Sequence, residues 1–278
     1  MDKAIIFGIY DFVSFHTSQT LLNQGIEVVG ITFEDKDEIP FYEEKRLEVG
    51  RNANFSEQSF SKWEKERELE KSKTVLVFSI YDLYMMNKET RFLKKSVMKP
   101  IVNYIEKNNK NIEIVCLLPI QELGSSNERQ LGSFLEQISR IAESMHVFYL
   151  PAIYGPWQPE TFLFQQSILS KIQRIEIQKG DREWTKDILF VCDAVESIFE
   201  LVASEKSGKY VLQSGKKEYW SKCASYLQID ESLSIQDVSE PVKIENQMVT
   251  VPVRHITPIA DSITQQVEHV RRLYQGNL

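Results

Sequence analysis

The 278-residue sequence lacks most of the features that identify a protein class at once. Its three cysteines, Cys116, Cys192 and Cys223, are widely spaced and odd in number, which favours buried reduced thiols over a disulfide or a metal site. No apolar run approaches the ~20 residues that a membrane span needs. The formal net charge of -7 and the lack of a basic patch disfavour binding to nucleic acid or to an anionic membrane.

Metal-site and nucleophile signatures are missing as well. The four histidines show no ligand spacing with Cys, Asp or Glu, which predicts that no metal is bound. There is no G-x-S-x-G turn of the kind that presents a nucleophilic serine. The amino terminus carries Asp2 and Lys3 and leads at once into an apolar run, which predicts a cytoplasmic protein without a signal peptide.

Residues 4–32 are the most informative stretch of what is present. Residues 4–7 form a short apolar run that ends at Gly8, a helix-like segment follows, and residues 28–31 form a second apolar run. This strand–helix–strand unit has the size of a parallel crossover. Further strand-like and helix-like runs alternate to the end of the chain. We therefore predict an α/β protein with a Rossmann-like, doubly wound, mostly parallel sheet and a small C-terminal substrate-like lobe.

The pattern also gives limits for the domains and for single elements. We assign residues 1–160 and about 186–205 to the Rossmann-like domain, and about 161–185 and 206–278 to the small lobe. Strands are predicted near residues 47–55 and over residues 74–79 and 112–118. A helix over residues 88–107 should be kinked or divided by Pro100. Another helix is predicted to begin at Asp193 as its N-cap.

The first crossover resembles that of the extended short-chain dehydrogenase/reductase family, the NAD-dependent epimerases and dehydratases. The family opens with a G-x-x-G-x-x-G turn, and this sequence has Gly8, Asp11 and Ser14 at the three glycine positions. Phe12 and Val13 fall where the family keeps Phe and Ile. The resemblance implies the fold of the family, whereas the residues that would contact the cofactor have changed.

These changes predict that dinucleotide binding has been lost. Asp11 places a carboxylate where the diphosphate would lie, and like charges about 4 Å apart repel by ~4 kcal/mol at an effective dielectric near 20. Asp11 should cap the first helix with its own side chain. The acidic residue that would hold the adenosine ribose falls on Thr32, with Glu34 and Asp35 just beyond it.

The family's catalytic residues are missing by the same comparison. The strand that should end in Ser or Thr reads Leu-Leu-Pro-Ile over residues 117–120, and no Tyr-x-x-x-Lys occurs in residues 111–150. The Tyr and Lys positions fall on Glu128 and Gly132, which cannot run a proton relay. Residues 153–156 match the family's Tyr-Gly-Pro signature, but its Arg and Asn fall on Tyr149 and Ala152.

We therefore predict a non-catalytic relative, a pseudoenzyme without cofactor or catalytic residues, that acts in binding, scaffolding or regulation. Two alternatives stay open: an NAD(P)-dependent nucleotide-sugar epimerase, dehydratase or reductase with displaced catalytic groups, and a nucleotide or sugar sensor without turnover. Tyr154, Arg254 and His255 are the candidates for a ligand cleft. Tyr154 belongs to the Tyr-Gly-Pro match, and Arg254 and His255 fall where the family's substrate lobe supplies anion-binding Arg. The partner would be an unknown protein or a small molecule, and a homodimer is possible.

Overall fold

The computed structural model describes residues 1–33, 36–123, 129–178, 182–204, 206–230, 233 and 248–275. The chain divides into two compact units. The first unit comprises Met1–Leu118, Ser125–Phe148 and Glu205–Gly208, and the second comprises Pro119–Gly124, Tyr149–Ser204 and Lys209–Leu278. The domain limits drawn from the sequence stay a prediction.

The first unit is built on a sheet whose strands follow the order β6-β5-β4-β1-β2-β3. The pairs β1–β2, β1–β4, β2–β3 and β4–β5 are all parallel. The central strands are buried along almost their whole length, as parallel strands covered on both faces should be. The strands are β1 Lys3–Phe7, β2 Glu27–Thr32, β3 Phe55–Ser59, β4 Thr74–Ser79, β5 Ile112–Pro119 and β6 Ser144–Leu150.

The helices of the first unit connect these strands as crossovers. They are α1 Phe12–Asn23, α2 Tyr42–Val49, α3 Phe60–Glu66, α4 Ile80–Met85, α5 Glu89–Phe92, α6 Lys95–Asn108 and α7 Arg129–Ile141. The helices α1 and α4 contact each other, and both contact β4 or follow it directly. This arrangement places the amino-terminal end of α1 beside the start of α4.

The second unit contains two parallel strand pairs and four described helices. Strand β7 (Ala152–Tyr154) pairs with β8 (Ile188–Phe190), and β9 (Gly208–Gln213) pairs with β10 (Met248–Pro252). Gly155 follows β7 at a φ of 145°, and a Cβ there would lie 2.7 Å from a Val191 methyl group, so this turn requires glycine. The helices are α8 Leu163–Gln173, α9 Val191–Ser204, α10 Tyr219–Tyr226 and α11 Ile259–Gln275.

The predicted fold class, a mostly parallel Rossmann-like α/β sheet with flanking helices, is confirmed. The strand Thr74–Ser79 is confirmed to the residue. The strand predicted near residues 47–55 is wrong, because Tyr42–Val49 is helical and the third strand is Phe55–Ser59. The helix predicted over residues 88–107 is divided, but between α5 and α6 and not at Pro100, which lies inside α6.

The predicted role of Asp193 is also wrong. Asp193 is the third residue of α9 and does not precede it. Its buried carboxylate accepts two hydrogen bonds from Thr257, one from the backbone N–H and one from the hydroxyl, each at 2.7 Å. The residue therefore holds the chain that leads into α11 and does not begin its own helix.

Candidate functional site

In open α/β sheets, ligands bind outside the carboxyl ends of the strands, so the turn from β1 into α1 is the first place to search. Gly8 begins this turn at a φ of +71°, which favours glycine. A Cβ at Gly8 would lie 2.2 Å from Oδ2 of Asp11. The Asp11 carboxylate therefore lies back against Gly8, inside the turn.

The prediction that Asp11 caps α1 with its own side chain is wrong. Asp11 lies at the N-cap position but makes no capping hydrogen bond to the described backbone of α1. The capping carboxylate belongs to Asp82, which accepts from the Val13 N–H at 3.0 Å through both oxygens and from the Ser14 N–H at 3.1 Å. The electropositive end of α1, which can bind a phosphate group, thus holds a carboxylate from another helix.

The position of Asp82 follows from the pairing of β1 with β4. Phe7 and Phe78 are opposite each other near the carboxyl ends of these parallel strands, so α1 and α4 begin at the same edge of the sheet. Ser79 caps α4, because its hydroxyl accepts from the Asp82 N–H at 3.4 Å. This leaves the Asp82 carboxylate, only 2% exposed, directed to α1.

Two acidic groups and one lysine share this turn. Burial, reinforced by the charge of Asp82, raises the pKa of Asp11 to about 7. Burial also raises the pKa of Asp82, against the opposing effect of its hydrogen bonds. Lys45 of α2 is 6% exposed and donates to the Tyr10 carbonyl at 2.6 Å. Burial lowers the pKa of Lys45 to about 8, while Asp11 and Asp82 act in the opposite direction.

Two tyrosines cover the neighbouring part of this edge. The Tyr10 hydroxyl donates to Glu57 of β3 at 2.6 Å, and the Tyr42 hydroxyl contacts the same carboxylate at 3.0 and 3.2 Å. The two rings meet edge to face, with centroids 5.2 Å apart. Both tyrosines are buried. The pKa of Tyr10 is raised, first by burial and then by its hydrogen bond to Glu57.

Phenylalanine side chains pack on one another at the carboxyl ends of the strands. Phe7 ends β1 and stacks on Phe78 of β4 at 4.9 Å and on Phe33, which follows β2, at 6.1 Å. Phe33 packs on Phe60 at 5.3 Å, and Phe78 packs on Phe92 at 5.5 Å. The carboxyl edge of β1–β4 is thus occupied by the protein's own charged and aromatic side chains.

Of the other predicted cofactor positions, Ser14 and Thr32 are buried, whereas Gly132, the predicted position of the catalytic Lys, is exposed. The Ser14 side chain is inaccessible to solvent, and Ser14 contributes its backbone N–H to the Asp82 contact. Thr32 is the last residue of β2 and is 9% exposed. Gly132 lies within α7, where an added Cβ would meet no described atom within 4 Å. Glu34, Asp35 and Glu128 lie outside the described residues.

The three candidates for a ligand cleft lie in the second unit and in different surroundings. Tyr154 is fully buried, packs on Phe164 and Phe190, and contacts the Ser262 hydroxyl at 2.7 Å. Its pKa is raised by burial. Arg254 and His255 are exposed, and Arg254 pairs with Glu200 at 3.5 Å. The structure therefore leaves Tyr154 in the interior and the other two on the surface.

The second unit also contains a buried carboxylate that accepts a hydrogen bond at the start of a helix, as Asp82 does in the first unit. Glu183 is 6% exposed and accepts from the Leu163 N–H, the first of α8, at 2.5 Å. Burial raises the pKa of Glu183 to about 7, against this hydrogen bond. Within the described ranges there is no group of three or more potential metal ligands, and no described helix is long and apolar enough to cross a membrane.

Sequence reasoning missed Asp82, Lys45 and Glu57. One local signal for Asp82 exists, because Ser79 and Asp82 have the Ser-x-x-acid spacing of a capping box directly after a buried strand. That motif would normally direct the acid to its own helix. Only the long-range pairing of β1 with β4 directs it to α1.

The fold and this site define a Rossmann-like α/β protein with a filled carboxyl edge. Solved structures of the NAD-dependent epimerases and dehydratases share its fold over the whole chain. UDP-glucuronic acid 4-epimerase from Bacillus cereus, solved with NAD, has a TM-score of 0.66 at 14% identity, covering 99% of this chain and 98% of its own. The enzyme WbmH of Bordetella bronchiseptica, solved with NAD+, has a TM-score of 0.66 at 15% identity, covering 99% of each chain.

A third similar structure is dTDP-glucose 4,6-dehydratase from Bacillus anthracis, solved with NAD, with a TM-score of 0.66 at 10% identity over 99% of this chain and 98% of its own. No protein-family model matches the sequence, and no curated protein matches it either. The resemblance to the epimerases and dehydratases is thus confirmed at the level of the fold.

Proposed function

We propose that the protein is a non-catalytic Rossmann-fold protein that acts in binding, scaffolding or regulation. The observation that carries the proposal is the contact of Asp82 with the N–H groups of Val13 and Ser14. These are the donors that the start of the first helix would offer to a diphosphate. A dinucleotide would have to displace a buried carboxylate that already accepts both of them.

Charge adds to this obstacle. A diphosphate brings two negative charges to a turn that already holds Asp11 and Asp82, and the cations that act on Asp11 there are the buried Lys45 together with Lys88 and Arg91. Each pair of like charges about 4 Å apart costs ~4 kcal/mol at an effective dielectric near 20. Tyr10 and its hydrogen-bonded partner Glu57 occupy the adjoining surface. The residues present therefore do not fit a dinucleotide in the family's usual mode.

A second candidate function is an NAD-dependent nucleotide-sugar epimerase or dehydratase. It is favoured by the full-length likeness to enzymes that were solved with NAD. These likenesses do not support the prediction that no cofactor is bound. Such an enzyme would need Asp82 to leave the start of α1, together with a proton-transferring group at a position other than Glu128 and Gly132. A sensor that binds a nucleotide or sugar without turnover is the third possibility. The titrations described next distinguish it from the enzyme.

Calorimetric and thermal-shift titrations with NAD, NADH, NADP and UDP-glucose test the proposal. A ligand at a hundred times its Kd should stabilise the protein by ~2.7 kcal/mol. We expect no stabilisation by the dinucleotides. Micromolar binding of NAD by the wild-type protein would refute the loss of dinucleotide binding, and conversion of a nucleotide sugar would establish the enzyme. Stabilisation by UDP-glucose alone, without product, would favour the sensor.

The double variant Asp11→Gly with Asp82→Asn tests the physical reason. It restores the glycine position and removes both negative charges from the turn, while the amide oxygen at position 82 can still accept a hydrogen bond. We expect NAD to bind this variant at least about tenfold more tightly than the wild type, since ~1.4 kcal/mol suffices for that. The exposed Asp37→Asn is the matched control for loss of charge. Equal affinities in all three proteins would refute the role of the two negative charges, and would leave the occupied N–H groups of Val13 and Ser14 as the obstacle.

A further inference from the structure

A separate cavity of about 360 Å³ lies at the amino-terminal edge of the sheet in the first unit. Lys3, the first residue of β1, and Glu27, the first residue of β2, line it together with Trp63 of α3 and Tyr104 of α6. The segment over residues 66–72 forms another part of the wall. We name it the amino-edge cavity. Its volume is at the lower end of the range of small-molecule sites.

One acidic group of the amino-edge cavity is fully engaged. Glu70 accepts from Lys3 at 3.0 and 3.1 Å, from the Thr74 hydroxyl at 3.1 Å and from the Tyr104 hydroxyl. Its side chain is 9% exposed. Lys3 and Glu70 therefore neutralise each other as a structural ion pair, and neither has an unpaired charge that a ligand would have to match.

Arg67 differs from Glu70 in its hydrogen bonding. Its guanidinium lies over the Trp63 ring, 5.1 Å from the centroid. Its Nη1 atom is buried and has no hydrogen-bond acceptor among the residues that the structure describes. A buried donor without an acceptor is unfavourable, and a guanidinium is matched best by a planar carboxylate that takes two of its N–H groups. Arg67 thus provides an unmet requirement for an anion at the wall of the cavity.

The rest of the lining sets the chemistry of that anion. Besides Glu70, the cavity is lined by Glu27, Glu66 and Glu68 and by Lys71. Because Glu66 pairs with Lys62 at 3.8 Å, Glu27 and Glu68 are the acceptors that the cavity offers to a cation. The apolar side chains of Leu69, which is 65% exposed, and of the buried Ile5 and Val29 line it as well. We propose that the amino-edge cavity binds a small zwitterion of the α-amino-acid type. Arg67 takes its carboxylate, the glutamates take its ammonium group, and the apolar lining takes its side chain.

Titration of the full-length protein with free leucine, phenylalanine and glycine tests this assignment, with acetate, ethylamine and inorganic phosphate as partial ligands. We expect the apolar amino acids to bind more tightly than any partial ligand. Arg67→Gln should weaken this binding by about tenfold or more, because it removes hydrogen bonds to a charged group. Arg67→Lys keeps the charge but loses the planar pair of N–H donors. Its affinity for the apolar amino acids should lie between those of the wild type and of Arg67→Gln.

Arg140→Gln is the matched control, because Arg140 is exposed on α7 and pairs only with Glu136 at the surface among its described ion pairs. It should bind as the wild type does. Tighter binding of phosphate or acetate than of the amino acids would overturn the proposal, and so would unchanged affinity in Arg67→Gln or no binding by the wild type.

A readout in the wild-type protein covers the case in which Arg67→Gln does not fold. The indole N–H resonance of Trp63, assigned through Trp63→Phe, should shift on titration with leucine, because the ring lines the cavity beneath Arg67. A titration that leaves this resonance in place would contradict the proposal. None of these measurements depends on the dinucleotide site, so the two proposals fail independently.

Discussion

Replacing Asp82 should reveal how much the folded protein depends on a carboxylate at the start of α1. Asp82→Ala removes the acceptor of two buried backbone N–H groups, those of Val13 and Ser14. A hydrogen bond to a charged group contributes about 1.5–3 kcal/mol, and loss of a helix N-cap costs about 1 kcal/mol. Part of this loss is offset, because the variant also removes a buried charge that repels Asp11. We expect a net destabilisation of about 2 kcal/mol.

Asp82→Asn is the matched comparison. Its amide oxygen can still accept from the helix, and its neutral side chain no longer repels Asp11. We therefore expect it to stay within about 1 kcal/mol of the wild type, since a neutral hydrogen bond contributes about that much. Urea unfolding followed by circular dichroism measures both variants, and unchanged m-values would assign the shifts to stability.

The reasoning would be refuted if Asp82→Ala were as stable as Asp82→Asn, because the oxygen acceptor would then contribute nothing. A second readout is the titration of Asp11. Its pKa of about 7 is raised first by burial and then by the charge of Asp82. It should move down in Asp82→Ala, as measured by carboxyl carbon shifts in NMR, and remain above its ordinary value because burial persists.

Three further predictions concern the same turn and the second unit. Gly8→Ala should cost about 1–2 kcal/mol from its φ of +71°, and more from the Asp11 clash, so the cost should be smaller in an Asp11→Gly background when both are measured by urea unfolding. Glu183 has a pKa raised to about 7, so its contribution to stability is present below the unfolded value near ~4.3 and is lost as the pH rises through about 7. Glu183→Gln should therefore gain stability over the wild type above neutral pH but not at pH ~4, as thermal unfolding across pH would measure. Tyr154→Phe should cost about 1 kcal/mol in urea unfolding through the lost contact with Ser262, and an enzymatic role for Tyr154 would instead require lost turnover at unchanged stability.

The sequence predicts most of the fold, because the central strands are continuous apolar runs. Residues 74–79 and 112–118 can be located from composition alone, since parallel strands buried on both faces leave no polar alternation. The position predicted for the third strand is wrong because that strand is not an apolar run. It reads FSEQS, ends the sheet order, and is only half-buried. Such a strand carries almost no local signal, and its pairing with β2 decides its position.

The candidate site is less accessible to sequence reasoning. Gly8 and Asp11 could be recognised, because they belong to one short motif. Asp82 is 69 positions from Val13 in sequence, and Lys45 is 35 positions from Tyr10. Their contacts depend on which strands are neighbours and on where each crossover begins. A sequence motif contains only residues that are close together in the chain. It therefore cannot predict a side chain that reaches the site from a distant helix or strand.

If the proposed function is correct, the positions of the two carboxylates indicate how a dinucleotide site of this fold can be lost. The first N–H groups of a buried helix need an acceptor, so a Rossmann-like turn that gives up its diphosphate must replace it. Under the proposed function, Asp82 on α4 takes this part, while Asp11, at the second glycine position of the family's turn, lies back on Gly8. The two changes therefore act separately, one satisfying the helix and the other filling the turn. Restoring glycine at position 11 alone would leave Asp82 on the helix, and removing Asp82 alone would leave Asp11 in the turn. It follows that NAD affinity should rise more in the double variant than the sum of the two single changes, which is the coupling expected of residues that obstruct one ligand together.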